Sequence, residues 1–122
     1  MGKTQKYLAE ALGTFALVGI GSFAILSSAG TGRLDVVAIA LGFGLALLVG
    51  LYAFGEVSGG HYNPAVSLGM FLDRRIAMDD MIAYWISQVV GAIAAVNAVG
   101  DIYHPDTCQI LAGARREDGQ GS

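Results

Sequence analysis

Three long apolar runs constrain this chain more than any other feature. They extend from Tyr7 to Ser28, from Val36 to Phe54 and from Met81 to Gly100. As helices rising about 1.5 Å per residue they would each measure roughly 28–33 Å, against a hydrocarbon core of about 30 Å. Each is therefore predicted to cross a membrane. Backbone N–H and C=O groups find no water in hydrocarbon, so an isolated span of this kind has to be helical. The first run follows Lys3 and Lys6 like a secretory leader. It is far longer than the apolar stretch of about 7–15 residues that a leader carries, and further runs follow it. The predicted class is an all-α membrane protein.

Composition excludes several alternatives. Apolar residues make up 54% of the chain and charged residues 14%, and its mean hydropathy is +0.57. A soluble domain carries about 25% charged residues. The 18 glycines suit helices that approach closely, because small residues let backbones meet. The net charge of −3 comes with no basic block, which argues against nucleic acid as a partner. Cys108 is the only cysteine, so an internal disulfide and a Cys-built zinc site are excluded. It reads as an incidental tail thiol. His61 and His104 stand alone, without the spacing of a metal site or of a catalytic cluster. No metal, no cofactor and no enzymatic chemistry are expected.

The connections differ in kind. Between the first two spans lies a short polar turn, Gly30-Thr31-Gly32-Arg33, followed by Asp35. Between the second and third lie Glu56-Val57-Ser58-Gly59-Gly60-His61-Tyr62-Asn63-Pro64, a short apolar stretch from Ala65 to Leu72, and the charged knot Asp73-Arg74-Arg75. A helix from Pro64 to Leu72 would rise only about 13 Å, too little to span. It is either a re-entrant half-helix, about 63–72, or an amphipathic helix lying at the surface. Lys3, Lys6, Arg74 and Arg75 fall on one side of the three spans and Arg33 on the other. Positive charge collects on the cytoplasmic side, so the N-terminus is predicted there. Arg115 and Arg116 in the tail lie opposite and weaken that bias. Residues 101–122 carry charge and no apolar run, and are expected to form a disordered extramembrane tail.

Asn63-Pro64-Ala65 has the chemistry of a helix start. Asn is a favoured N-cap and Pro a favoured first helical residue. The Asn63 side-chain oxygen can accept from a backbone N–H of the first turn, which leaves its amide N–H₂ free to donate elsewhere. If the segment re-enters, the helix dipole places roughly half a positive charge near the middle of the membrane. Such a site favours a neutral solute that accepts hydrogen bonds and opposes cations. Gly59-Gly60 supplies the irregular backbone needed ahead of it. Backbone of that kind survives at membrane depth where protein buries it or where it lines a watery cavity.

The string Ser58-Gly59-Gly60-His61-Tyr62-Asn63-Pro64-Ala65-Val66-Ser67-Leu68-Gly69 resembles the first Asn-Pro-Ala (NPA) box of the aquaporin (major intrinsic protein, MIP) family. Ala9-Glu10-Ala11-Leu12-Gly13-Thr14-Phe15 is similar to that family's first helix. Tyr84-Trp85-Ile86-Ser87-Gln88-Val89-Val90-Gly91-Ala92 is similar to its third. The likeness covers roughly residues 3–96 in order, and is closest to bacterial water channels. It implies an N-terminal half repeat: three transmembrane helices plus one re-entrant half-helix, with residues 1–100 as the repeat. It implies that Asn63, Pro64 and Ala65 face the permeating molecule and that the carbonyls of Gly59, Gly60 and His61 line the pore. Phe43 takes the place of the aromatic at the selectivity constriction, where phenylalanine looks like a water-selective member. Glycerol facilitators more often place tryptophan there. Glu10 and Gln88 would hold the re-entrant loop by hydrogen bonds, although Glu10, near a helix end, could instead snorkel to the interface. Gly42-Ala46-Gly50 and Ser87-Gly91-Ala95 would form close helix contacts.

Complete members of the family carry two inverted repeats, each with an NPA half-helix. This sequence carries one Asn-Pro-Ala, and after about Asn97 it stops resembling the family. The expectation is a truncated or fragmentary channel for water or small neutral solutes such as glycerol. It would lie in the cell membrane, as a homotetramer if complete or beside a partner subunit that supplies the second repeat. The alternatives are a non-conducting fragment that joins full-length subunits and a small membrane-anchored structural protein.

Overall fold

A computed structural model describes residues 2–33 and 35–103. Among them the chain forms four helices: α1 (Lys3–Gly30), α2 (Val36–Ser58), α3 (Pro64–Leu72) and α4 (Met78–Ile102). Three of these, α1, α2 and α4, are long and apolar enough to cross a membrane. Each runs a few residues beyond its apolar stretch. Hydropathy marks where hydrocarbon begins, whereas a helix continues until a cap stops it. Helix α2 ends at Gly59, which adopts φ +93° and donates its N–H to the Gly55 carbonyl, a left-handed cap that suits glycine. Asp35 opens α2 by accepting from the Ala38 N–H at 3.0 Å. Its own N–H bonds the Ser28 hydroxyl, which ties the turn back onto α1. Helix α4 carries Asp79 and Asp80 in its first turn, where negative charge complements the helix dipole.

Helix α1 lies between α2 and α4 and packs on both, while α3 packs on α4. The pairs along α1 and α4 advance together: Lys3 with Asp79, Glu10 with Gln88, Ser27 with Tyr103. These two helices are therefore parallel. Their seam is tight at Gly91, where an added Cβ would sit 2.2 Å from the Ala11 carbonyl oxygen. Only glycine permits that approach. Against α2 the fit is different. The Phe43 ring fills a notch at Gly21, and Gly42 lies against Ala24. Gly50, expected to make a helix–helix contact, instead receives the Tyr62 ring.

Within the polar tail expected over residues 101–122, Asp101 and Ile102 continue α4. Tyr103 bonds Ser27 at 2.6 Å and packs edge-on against Phe23 with ring centroids 5.0 Å apart. These contacts draw the α4 end onto α1. The rest of the expected tail, with His104 and Cys108, lies outside the described residues.

Candidate functional site

Five residues, Gly59 to Asn63, connect α2 to α3 in an irregular path. Gly59, Gly60 and Tyr62 have φ of +93°, +68° and +51°. The first two are glycines, for which positive φ carries little penalty. Tyr62 is not, and its conformation is held from several directions. Its N–H donates to Glu10 Oε2 at 2.7 Å, and its hydroxyl donates to the Gly50 carbonyl at 2.6 Å. Its ring rests between Gly13 on α1 and Gly50 on α2.

Glu10 is the centre of this loop's support. It is fully buried on α1. Its Oε1 accepts from the Ser58 hydroxyl at 2.7 Å and the His61 N–H at 3.0 Å. Its Oε2 accepts from the Tyr62 N–H at 2.7 Å and from Gln88 Nε2 at 2.9 Å. The carboxylate points into the protein and does not snorkel. A charge in an apolar interior needs such partners, since an unpaired one would be expensive. Gln88 also donates to the Ser67 hydroxyl of α3 at 3.0 Å, and Ser67 meets His61 Nδ1 at 2.9 Å. The Tyr84 hydroxyl donates to the Ser58 carbonyl at 2.7 Å. The Trp85 indole N–H donates to the Pro64 carbonyl at 2.9 Å. Helices α1 and α4 thus grip both the loop and the first turn of α3.

The other side of α3 is open. Asn63 has extended backbone and caps the helix by accepting from the Ala65 N–H at 2.9 Å. Its amide N–H₂ makes no hydrogen bond among the described residues. Asn63, Pro64 and Ala65 are exposed together, with Gly59 exposed beside them. The structure therefore brings Asn63, Pro64, Ala65, Gly59, Gly60, His61, Glu10 and Gln88 into one junction. Phe43 is not part of it. That residue lies about 22 Å along α2 from Ser58 by helical rise, half-buried against Gly21. Among the described residues no group of three or more His, Cys, Asp or Glu side chains is placed to hold a metal.

Ser58, Ser67, Tyr62 and Tyr84 belong to the junction and were not singled out from the sequence as bonding partners. The available signal was their position: Ser67 is the only hydroxyl in α3, and Tyr84 precedes Gln88 by one helical turn on the same face.

Comparison with known proteins supplies the family. The family model described as Major intrinsic protein matches residues 1–121. The chain is 53% identical over 95 residues to glycerol uptake facilitator protein-like 6 of Lactiplantibacillus plantarum, covering 78% of this chain and 42% of that protein. It is 53% identical over 97 residues to aquaporin Z of Brucella melitensis, covering 75% of this chain and 41% of that one. Its fold matches the X-ray structure of the aquaglyceroporin from Plasmodium falciparum with a TM-score of 0.79 at 31% identity, over 84% of this chain and 43% of that chain. The chain thus spans about two fifths of the length of the curated relatives it matches. The two relatives share the same identity with this chain, one named a glycerol uptake facilitator protein and the other an aquaporin. With nearly its whole length under the family model, the chain belongs to the major intrinsic protein, or aquaporin, family as a half repeat of its multi-pass membrane fold.

Proposed function

We propose that this chain forms the first half of a pore for water or small neutral solutes, with α3 re-entering the membrane from the cytoplasmic side. The observation that carries the reading is the state of Asn63. Its oxygen is engaged by the Ala65 N–H, while its amide N–H₂ makes no hydrogen bond among the described residues and the residue is exposed. A fixed donor at a helix start suits a neutral molecule that accepts hydrogen bonds, and the local dipole disfavours cations. The Gly59, Gly60 and His61 carbonyls would continue the polar track, and Phe43 would narrow the pore at its far end. The proposed location is the cell membrane, with the N-terminus in the cytoplasm. The second wall would come from a second repeat, in the same chain or in a partner subunit, and completed pores would assemble as homotetramers. The role is transport without covalent chemistry.

Re-entry is tested by cysteine accessibility in a Cys108→Ser background. Ala65→Cys should react slowly with a bulky impermeant thiol reagent, and Arg75→Cys quickly from the cytoplasmic side. Equal, fast labelling of both would place α3 at the surface. Solute choice is tested in a channel completed by a second repeat, where Phe43→Ala should raise glycerol flux relative to water. An unchanged ratio would remove Phe43 from the constriction.

A second reading, a half repeat that is non-conducting by itself, is favoured by the exposure of Asn63, Pro64 and Ala65. The 122-residue chain alone then leaves one pore wall open. Purified and reconstituted, it should give proteoliposomes that shrink in stopped flow no faster than empty liposomes. Fast shrinkage with low activation energy would overturn this and point to antiparallel pairing of two copies.

A further inference from the structure

The network around Glu10 fixes where its protons lie. Four donors converge on Glu10: the Ser58 hydroxyl, the N–H groups of His61 and Tyr62, and the Gln88 amide. An ionised carboxylate offers acceptors only, which matches all four. Gln88 must then turn its nitrogen toward Glu10, since the reverse orientation would set two acceptor oxygens against each other. The same nitrogen lies 3.0 Å from Ser67 Oγ, so Ser67 accepts there. Ser67 is fully buried and has one proton of its own to place. Its only other side-chain hydrogen bond among the described residues is with His61 Nδ1, at 2.9 Å. A buried hydroxyl proton without an acceptor is strongly disfavoured. The proton therefore goes to Nδ1, and the neutral imidazole carries its hydrogen on Nε2.

Nε2 faces out of the network. It has no hydrogen-bond partner among the described residues, and it is not one of the enclosed unpartnered atoms, which are Thr14 Oγ1 and Gln88 Oε1. It lies beside Gly59, where an added Cβ would be 3.3 Å away, and Gly59 is exposed. The Tyr84 ring packs edge-on against the imidazole, with centroids 5.0 Å apart, and holds its plane. We propose that Ser67 and Gln88 are positioning residues that lock His61 as the Nε2–H tautomer, so that its ring offers a side-chain donor, beside exposed Gly59, to a neutral oxygen acceptor such as water or a hydroxyl. The tautomer stands independently of transport; only the identity of the acceptor rests on the pore reading. The bond order runs from Gln88 through Ser67 to His61, so one end of the chain of donors is anchored on α4 and the other lies beside Gly59 in the α2–α3 connection.

The test is imidazole ¹⁵N NMR on the chain in lipid, in a His104→Gln background that leaves one histidine. Wild-type Ser67 should give an Nδ1 resonance in the unprotonated range and an Nε2 resonance in the N–H range, with a cross-peak from Nε2–H to water. An N–H-type Nδ1, or no water cross-peak, overturns the proposal. Ser67→Ala should convert the single tautomer into a mixture, and Ser67→Thr, which keeps the hydroxyl, should restore it. The Tyr62 amide resonance reports whether the loop remains on Glu10 in each variant. If the alanine variant does not fold, the wild-type and threonine spectra still decide. A single unchanged tautomer in folded Ser67→Ala would also overturn the proposal. A chain that shows the tautomer but passes no solute when completed by a second repeat would keep this inference and lose the pore reading.

Discussion

On one side of α3, Ser67 is fully buried and bonded to both Gln88 and His61; on the other, Asn63, Pro64, Ala65, Val66 and Leu68 are exposed. The same nine-residue helix thus has a side where nearly every polar group is matched and a side where a donor is deliberately left over. The physical lesson is a separation of tasks. The inner side fixes position, because a buried polar group without a partner is expensive. The outer side can present a donor because nothing among the described residues consumes it. Mutations on the inner side should therefore act on stability, and those on the outer side on what the site recognises.

The largest effect is expected from Glu10→Ala, which leaves the Ser58 hydroxyl, two backbone N–H groups and the Gln88 amide without their acceptor. Breaking a buried charged network destabilises by about 3–5 kcal/mol. Unfolding in mixed micelles, followed by circular dichroism, should show the folded state largely lost. A loss below about 1 kcal/mol, the size of one ordinary hydrogen bond, would mean that the inner side does not hold the loop. Next comes a pair of glycines. Gly91→Leu drives a side chain into the Ala11 carbonyl and should cost about 1–3 kcal/mol or more, since backbone cannot step aside as a side chain can. Gly69→Ala on α3 meets nothing within 4 Å and should stabilise by up to about 1 kcal/mol through helix propensity. Equal effects would erase the distinction between the tight seam and the open side.

Asn63→Asp sharpens the comparison from the outside. Aspartate caps as well as asparagine, so stability should change by less than about 0.5 kcal/mol. The donor is lost, however, and in a channel completed by a second repeat, water flux should fall about tenfold, the scale of one hydrogen bond. Flux that stays level would show that the amide is not the recognising group. The smallest effect belongs to Lys3→Ala at the rim. Lys3 pairs with Asp79 at 2.9 Å with both side chains mostly exposed. Such pairs contribute about 0.2–1 kcal/mol, and the difference from wild type should vanish in high salt. A larger, salt-resistant loss would make the rim part of the inner structure.

The spans were legible because hydrocarbon thickness selects for long apolar runs, whatever the partners. The Asn63 cap was legible because capping is local: the residue types and their order carry the geometry. Glu10 and Gln88 drew notice as polar groups inside apolar runs, yet their partners did not. Ser67 looks like a small filler in α3, and the amide that makes it essential lies 21 residues later. Ser58 lies 48 residues from Glu10. A single sequence has no local signal for pairings made by helix packing. Gly50 shows the same limit in reverse. Its spacing from Gly42 and Ala46 fits a helix contact, but the wall it forms belongs to Tyr62, whose left-handed backbone no propensity would assign. The helix ends shifted for a simpler reason. Tyr103 is held by Ser27 and Phe23, and neither contact leaves a trace in the polarity of the tail.

Trp85 is the only tryptophan in the chain, and its indole N–H is bonded to the carbonyl of Pro64, the first residue of α3. The molecule therefore carries one indole fluorophore, and it stands at the joint between the half-helix and the third span. Its emission is a single-site optical gauge, undiluted by other indoles. Light from this ring registers whether α3 is seated on α4, in a vesicle or a detergent micelle, with no label attached.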